Sequence, residues 1–475
     1  MRLFFRALSM AAMVAALVPV CGSAPGITKT PAEDIIVTAA PVYHPLAALS
    51  GEERFPEGAQ LMLVRQGNAA PLVKDFAATA DANISFDGKS VLFAGKRTAG
   101  DPWQIWELSN ADVSVRKLIA SKTDAIRPFY LPAGQLVYAL RTSAGYQLVV
   151  AGKNDAHAPD RISADPGSTV LPISYLPANA IPVDVLLDGR ILFEANFPLG
   201  SGTTPELYLV YSDGSGVESY RCDHGRARWG GKQLTSGDVV FTHGGSLARF
   251  TSPIAHEVPV VAPRGEYAGD LAETPQGDWL VSSRSSSGAH YALKLLKASV
   301  ANSAPIALQT VIAVSGENLV DPALIAPRKR PNHHPTALHP WNYANLLALD
   351  SRLSREGDLQ TAPALVRLET MDSQGHAVVN GTAPVEADGS FFVQAPGDKP
   401  IRFALLNAKG TVIRQEHGWS WIRSGEQRIC IGCHTGPERA SENRVPAVLM
   451  RTTVPVDLTG AKAVSQSQTN ALGGK

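Results

Sequence analysis

From about residue 57 to 325 one pattern recurs: a short apolar strand, a turn with glycine, then a second apolar strand ending in an aromatic or small residue. Phe86-Asp87-Gly88-Lys89-Ser90-Val91-Leu92-Phe93 shows it, and it returns around Gly134, Gly189, Gly237 and Gly277, at successive intervals of 46, 55, 48 and 40 residues. Glycine adopts positive φ at little cost, which a tight hairpin needs. A repeat of roughly 40 to 50 residues built on one antiparallel hairpin fits the four-stranded blade of a β-propeller. Third strands follow at 104–108, 146–150, 206–210 and 291–295. Lone strand patterns at 60–64 and 323–325 flank the repeats and share one blade between the two ends. The expectation is an all-β chain with an N-terminal propeller over 57–326, of six blades, with seven as the alternative.

The periodicity stops at Pro327-Arg328-Lys329-Arg330-Pro331-Asn332-His333-His334-Pro335, and 327–350 reads as a solvated linker. Strand patterns at 364–368, 384–393 and 401–406 and a last one at 411–414 predict a small β-sandwich over 351–415. An irregular or helical segment over 416–460 then carries the chemistry, and 461–475 reads as a disordered tail.

That chemistry rests on Cys430-Ile431-Gly432-Cys433-His434, a CxxCH. Two thiols at this spacing can each form a thioether with a haem vinyl group, and the following imidazole presents a nitrogen to the iron. Cys430 and Cys433 are therefore candidates to attach one covalent haem c, with His434 as proximal iron ligand. A zinc site is the alternative, although no second CxxC or CxxH completes the usual four ligands. Distal candidates are Met450, 16 residues beyond His434, or His417, with His376, His333 and His334 behind them. Trp419 and Trp421 share a face in an extended segment and suit shielding of a porphyrin or packing of the sandwich core, while Arg423 and Arg428 suit propionate contacts or the open surface. Cys222-Asp223-His224 in the propeller combines a thiol, a carboxylate and an imidazole, either as a second metal site through Cys222 and His224 or as an ordinary blade loop.

The start of the chain agrees with haem attachment outside the cytoplasm. Arg2 and Arg6 precede an apolar run from Ala7 to Val20, and 1–24 reads as a signal peptide. The expectation is a periplasmic or exported protein, with Cys21 as a lipid tether or, if cleavage falls later, none. Lys plus Arg equals Asp plus Glu at 43 each, so no net field draws nucleic acid. The expected partner is a redox protein or a small-molecule substrate. Nothing in the chain matches a nucleophile elbow, a P-loop or a dinucleotide fingerprint.

Two resemblances follow from these residues. The blade hairpins resemble those of TolB and WD40-like propellers. The run from Pro384-Val385-Glu386 to Phe391, then Trp421-Ile422-Arg423-Ser424-Gly425-Glu426-Gln427-Arg428, the CxxCH, Pro437-Glu438 and Glu442-Asn443-Arg444, resembles the hydrazine synthase alpha-subunit-like family. This resemblance implies a propeller carrying a c-type haem domain. The hydrazine-forming members use more than one haem and hold an atypical one through a tyrosine shortly after the motif, which leaves the motif histidine for zinc. Here there is one CxxCH and the last tyrosine is Tyr343, so ordinary ligation by His434 is expected and hydrazine synthesis is not. The functional expectation is an exported monohaem cytochrome-like protein in electron transfer or small-molecule redox chemistry. A non-enzymatic propeller scaffold with a zinc-binding or inert CxxCH is the alternative.

Overall fold

Ile35–Ala40 pairs on one side with Asn318–Leu324 and on the other with Gln60–Arg65, and the sheet they form with Asn68–Pro71 closes a ring of six four-stranded blades. The computed structural model describes residues 31–152, 170–199, 202–297, 308–433, 435, 439–440 and 442–460. The signal-peptide reading with Cys21, the tail and His434 lie outside the described residues.

Five blades follow the repeats in chain order, their innermost strands being Ala78–Ile84, Ala125–Tyr130, Ala180–Val185, Arg228–Gln233 and Glu266–Glu273. The sixth joins the two ends of the domain, as the shared-blade reading expected. The hairpin glycines carry the positive φ read from the sequence, from 76° at Gly88 to 95° at Gly237. The propeller nonetheless begins at Ile35, well before residue 57. Ile35–Ala40 is buried along its whole length, so it lacks the in-out alternation that reveals a half-exposed strand.

The innermost strands share a second feature. Their pairing slips beside Asp81, Arg127 and Gly230, each of which has positive φ, and the slip beside Gly269 follows the same pattern. Such bulges re-aim side chains, and here they turn charged groups into the central channel. Arg54, from the segment between two strands of the closing blade, bridges Asp81 at 2.5 Å and Asp321 at 2.8 Å, while Arg127 pairs with Asp270.

The second domain is a sandwich of two four-stranded sheets. One contains Leu365–Met371, Ala377–Pro384, Ile401–Leu406 and Val412–Gln415; the other contains Tyr343–Ala348, Phe391–Pro396, Gln427–Cys430 and Val456–Asp457. Leu346, Val366, Leu368, Phe391, Val393 and Leu405 fill the space between them. The expected boundaries shift in two places. Tyr343–Ala348, inside the stretch read as linker, is a central strand, and the segment read as an appended haem domain supplies two strands to the same sheet. The remaining linker is not simply solvated. Arg328 lies against the propeller, with its guanidinium 4.4 Å from the Phe86 ring centroid and its amide donating to Phe86 O at 2.9 Å.

Candidate haem-binding site

Gln427–Cys430 runs parallel to Tyr343–Ala348 with Cys430 opposite Ala348, so the first cysteine of the motif is the last residue of a sandwich strand. The turn that follows is tied back by Leu349 N donating to Cys430 O at 2.8 Å and Asp350 N donating to Ile431 O at 3.1 Å. Gly432 has to be glycine there. A Cβ would lie 2.6 Å from Thr435 Cγ2, 2.8 Å from Leu353 Cβ and 2.9 Å from Asp350 O. Both cysteines are half-buried against the sandwich core, and neither is in a disulfide. Burial pushes the Cys430 thiol up to about 11 and raises that of Cys433 as well, so both sulfurs are neutral at physiological pH.

Beside this strand lies a cavity of about 780 Å³ between the two domains. The sandwich side contributes Trp419, Trp421, Arg428 and Cys430, and the propeller side contributes Tyr208, Tyr211, Cys222 and His224. His334 and His339 reach it from the connecting segment, with the His334 ring stacked 3.8 Å from that of Tyr211. Cys222 itself has a φ of 50°, an uncommon conformation for a non-glycine residue, in a loop whose Arg221 O accepts from Arg355 of the sandwich at 2.5 Å.

The wall is held in place by contacts that join the domains. Trp421 is fully buried, not in the sandwich core but among propeller residues including Ile173, Leu176 and Phe193, and its Nε1 donates to Gly214 O at 3.0 Å. Buried Glu426 accepts from Gly216 N at 3.2 Å, Arg423 N at 2.9 Å and Arg428 Nε at 2.9 Å. One carboxylate thus links a propeller turn, the sandwich loop and the cavity arginine.

These positions divide the candidates. Trp419, Trp421, Arg428, Cys222 and His224 all reach the cavity with Cys430. Arg423 is a clamp between domains instead of a cavity or surface group: Nε donates to Asp213 O at 2.8 Å, and Nη1 donates to Asp398 Oδ1 at 2.6 Å and to the Tyr175 hydroxyl. Met450, on the short helix Ala447–Arg451, is 78% exposed and is absent from the cavity wall, so it is not poised as a distal ligand. His417 is likewise off the wall and pairs through Nε2 with Glu356 at 3.0 Å. Of the named distal histidines, His334 lines the cavity. Among the described residues no group of three or more His, Cys, Asp or Glu side chains converges as a metal site, so Cys222 and His224 do not form one with a third such ligand. Sequence reasoning did not single out Glu426, Tyr208, Tyr211 or His339. Glu426 stands in the quoted Gly425-Glu426-Gln427-Arg428 run, but its propeller partner, Gly216, lies 210 residues away, beyond the reach of local pattern.

The motif offers two neutral thiols, of which Cys430 lines a cavity walled by aromatic, aliphatic and polar groups, and this donor set fits a thioether-bound porphyrin. A thioether sulfur carries no charge into those surroundings, whereas two thiolates would each need a compensating cation. The size falls in the range of about 300 to 1,000 Å³ usual for cofactor sites.

Fold and cavity define a class: a six-bladed propeller with a β-sandwich docked against it and a CxxCH at the junction. Residues 357–435 match the family model for the hydrazine synthase alpha subunit middle domain, and in this domain the chain is hydrazine synthase alpha-like. The solved hydrazine synthase of Kuenenia stuttgartiensis is similar in fold, with a TM-score of 0.74 at 17% identity, over 89% of this chain and 72% of that one. TolB from Acinetobacter baumannii aligns at a TM-score of 0.40 and 12% identity, over 62% of this chain and 67% of that one. None of the curated proteins matches the chain in sequence.

Proposed function

We propose that this chain is an exported monohaem c-type protein that holds its haem between sandwich and propeller and serves electron transfer or redox conversion of a small molecule. The observation that carries this reading is that the strand ending in Cys430 borders a cavity of about 780 Å³ whose opposite wall is the propeller. Cys430 and Cys433 would supply the thioethers and His434 the proximal nitrogen. A haem bound there supplies reversible one-electron chemistry at iron.

The chain's own groups have separate tasks. Trp419 and Trp421 exclude water from the sandwich side of the cavity. Arg428, oriented by Glu426, offers a guanidinium for a propionate. Cys222, His224 and His334 face the cavity from the propeller and connecting segment, where they bear on whatever approaches the iron. The signal-peptide reading of residues 1–24 supports export to the compartment where haem is attached.

The test is expression of the full chain with the haem-attachment machinery, followed by haem staining after denaturation and a pyridine-haemochrome spectrum. The expected result is one haem per chain, lost in Cys430→Ala and Cys433→Ala. Stoichiometric zinc without a Soret band would overturn the proposal in favour of a zinc-bearing scaffold. A carbon monoxide shift of the Soret band separates an open iron from a six-coordinate carrier.

A further inference from the structure

A second cavity, of about 330 Å³, occupies the propeller channel beneath residues 326–331. This connecting segment is seated on two hairpins. Arg328 N donates to Phe86 O and Asn332 N to Leu187 O, both at 2.9 Å, and a Cβ on Gly88 would lie 3.0 Å from the backbone of Ala326.

The charged groups of the wall are mostly matched. Asp81 and Asp321 share Arg54, Asp270 pairs with Arg127, and Asp184 pairs with Lys232 Nζ at 2.7 Å. Glu273 accepts from Thr235 N at 2.7 Å and from its hydroxyl at 2.9 Å. Arg328 is different. Its Nε and Nη2 donate to the carbonyl oxygen of Ile84 at 3.2 and 3.0 Å, and Nη2 also approaches Asn83 Oδ1 at 3.4 Å. Among the described residues it forms no ion pair, and its Nη1 makes no hydrogen bond. Desolvation therefore draws the guanidinium below its ordinary value, with only partial relief from the charge of Asp184. An anion entering the cavity would remove that penalty.

We propose that the propeller channel binds a small organic monocarboxylate through Arg328. A guanidinium offers a planar fork of donors that suits a carboxylate. Ile84, Phe129, Leu187, Leu234 and Leu271 give the same cavity an apolar side for a short hydrocarbon body. Asp81, Asp184 and Asp270 in the wall repel a dianion more strongly than a monoanion, which disfavours phosphate. The site is separate from the haem cavity and does not depend on haem being bound.

The test is calorimetric titration of the full chain at neutral pH with butyrate, its uncharged analogue butyramide, and inorganic phosphate. Butyrate is expected to bind at least about tenfold more tightly than either. Arg328→Gln is expected to lose at least about tenfold in butyrate affinity while keeping its far-ultraviolet circular dichroism. No measurable butyrate binding, equal affinity for butyrate and butyramide, tighter binding of phosphate, or undiminished butyrate binding in a folded Arg328→Gln would each overturn the proposal. The butyrate and butyramide comparison uses the unaltered protein, so it decides the matter even if the variant fails to fold.

Discussion

The indole Nε1 of Trp421 donates a 3.0 Å hydrogen bond to the carbonyl oxygen of Gly214, across the boundary between sandwich and propeller. The ring is fully buried among propeller side chains although it lies nine residues before Cys430. The anchor that unites the domains is therefore also a wall of the cavity beside Cys430. Trp421→Phe should cost about 1 kcal/mol through the lost hydrogen bond, and Trp421→Ala about 3 to 5 kcal/mol through the void left behind. Urea unfolding measures both, and equal stability of the two variants would show that the indole is not the anchor.

Gly432→Ala should disturb the motif without touching either sulfur. The added methyl meets Thr435, Leu353 and Asp350 at under 3.0 Å, an overpacking that costs about 1 to 3 kcal/mol. The haem-stained fraction of the protein should fall. Val379→Ala, at a side chain 56% exposed on the other sheet of the sandwich and off the cavity wall, is the control and should leave that fraction unchanged.

Asp321 predicts a pH dependence. Burial lifts its carboxyl to about 7 against the pull of Arg54, with help from the charge of Asp270. An unfolded aspartate titrates near ~3.9, so between about pH 4 and 7 the folded chain keeps a proton that the unfolded chain has released. The group's contribution to stability is thus full below about pH 4 and declines as pH rises to about 7. Asp321→Asn should shrink the stability difference between about pH 5 and pH 8, read from urea midpoints. An unchanged difference would reject the assignment.

Gly189→Ala should loosen the connecting segment. Gly189 has a φ of 92°, and a Cβ there would lie 2.3 Å from Asn332 O. The expected cost is about 1 kcal/mol or more, with faster proteolytic cleavage within 327–335. Cleavage at the wild-type rate would mean that the segment is not held at this hairpin.

The blade hairpins were legible because a tight hairpin writes itself locally, as two short apolar runs with a glycine at the turn. The closing strand Ile35–Ala40 was not, because both faces are buried and its inner partner, Asn318–Leu324, comes from the far end of the domain. Tyr343–Ala348 was hidden by the proline-rich basic stretch before it, whose composition suggests exposure while Arg328 packs on Phe86. At the site, Cys430, Trp419, Trp421 and Arg428 were read from local spacing and reach one cavity. Arg423 was misread as a haem contact or a surface group because Asp213 and Tyr175, its propeller partners, are remote in sequence.

By itself the sequence determined the all-β architecture, the sharing of one blade by the two ends, and the pair of thiols offered to a haem. Each of these is a property of neighbours along the chain: turn residues, strand runs and a five-residue motif. Only the tertiary structure decided that the first motif cysteine ends a sandwich strand, that Trp421 and Arg423 join the domains, and that Cys222 and His224 lie across a cavity from Cys430. The reason is physical: burial and hydrogen-bond satisfaction at a domain junction depend on residues about 200 positions apart, and such partners are chosen by packing.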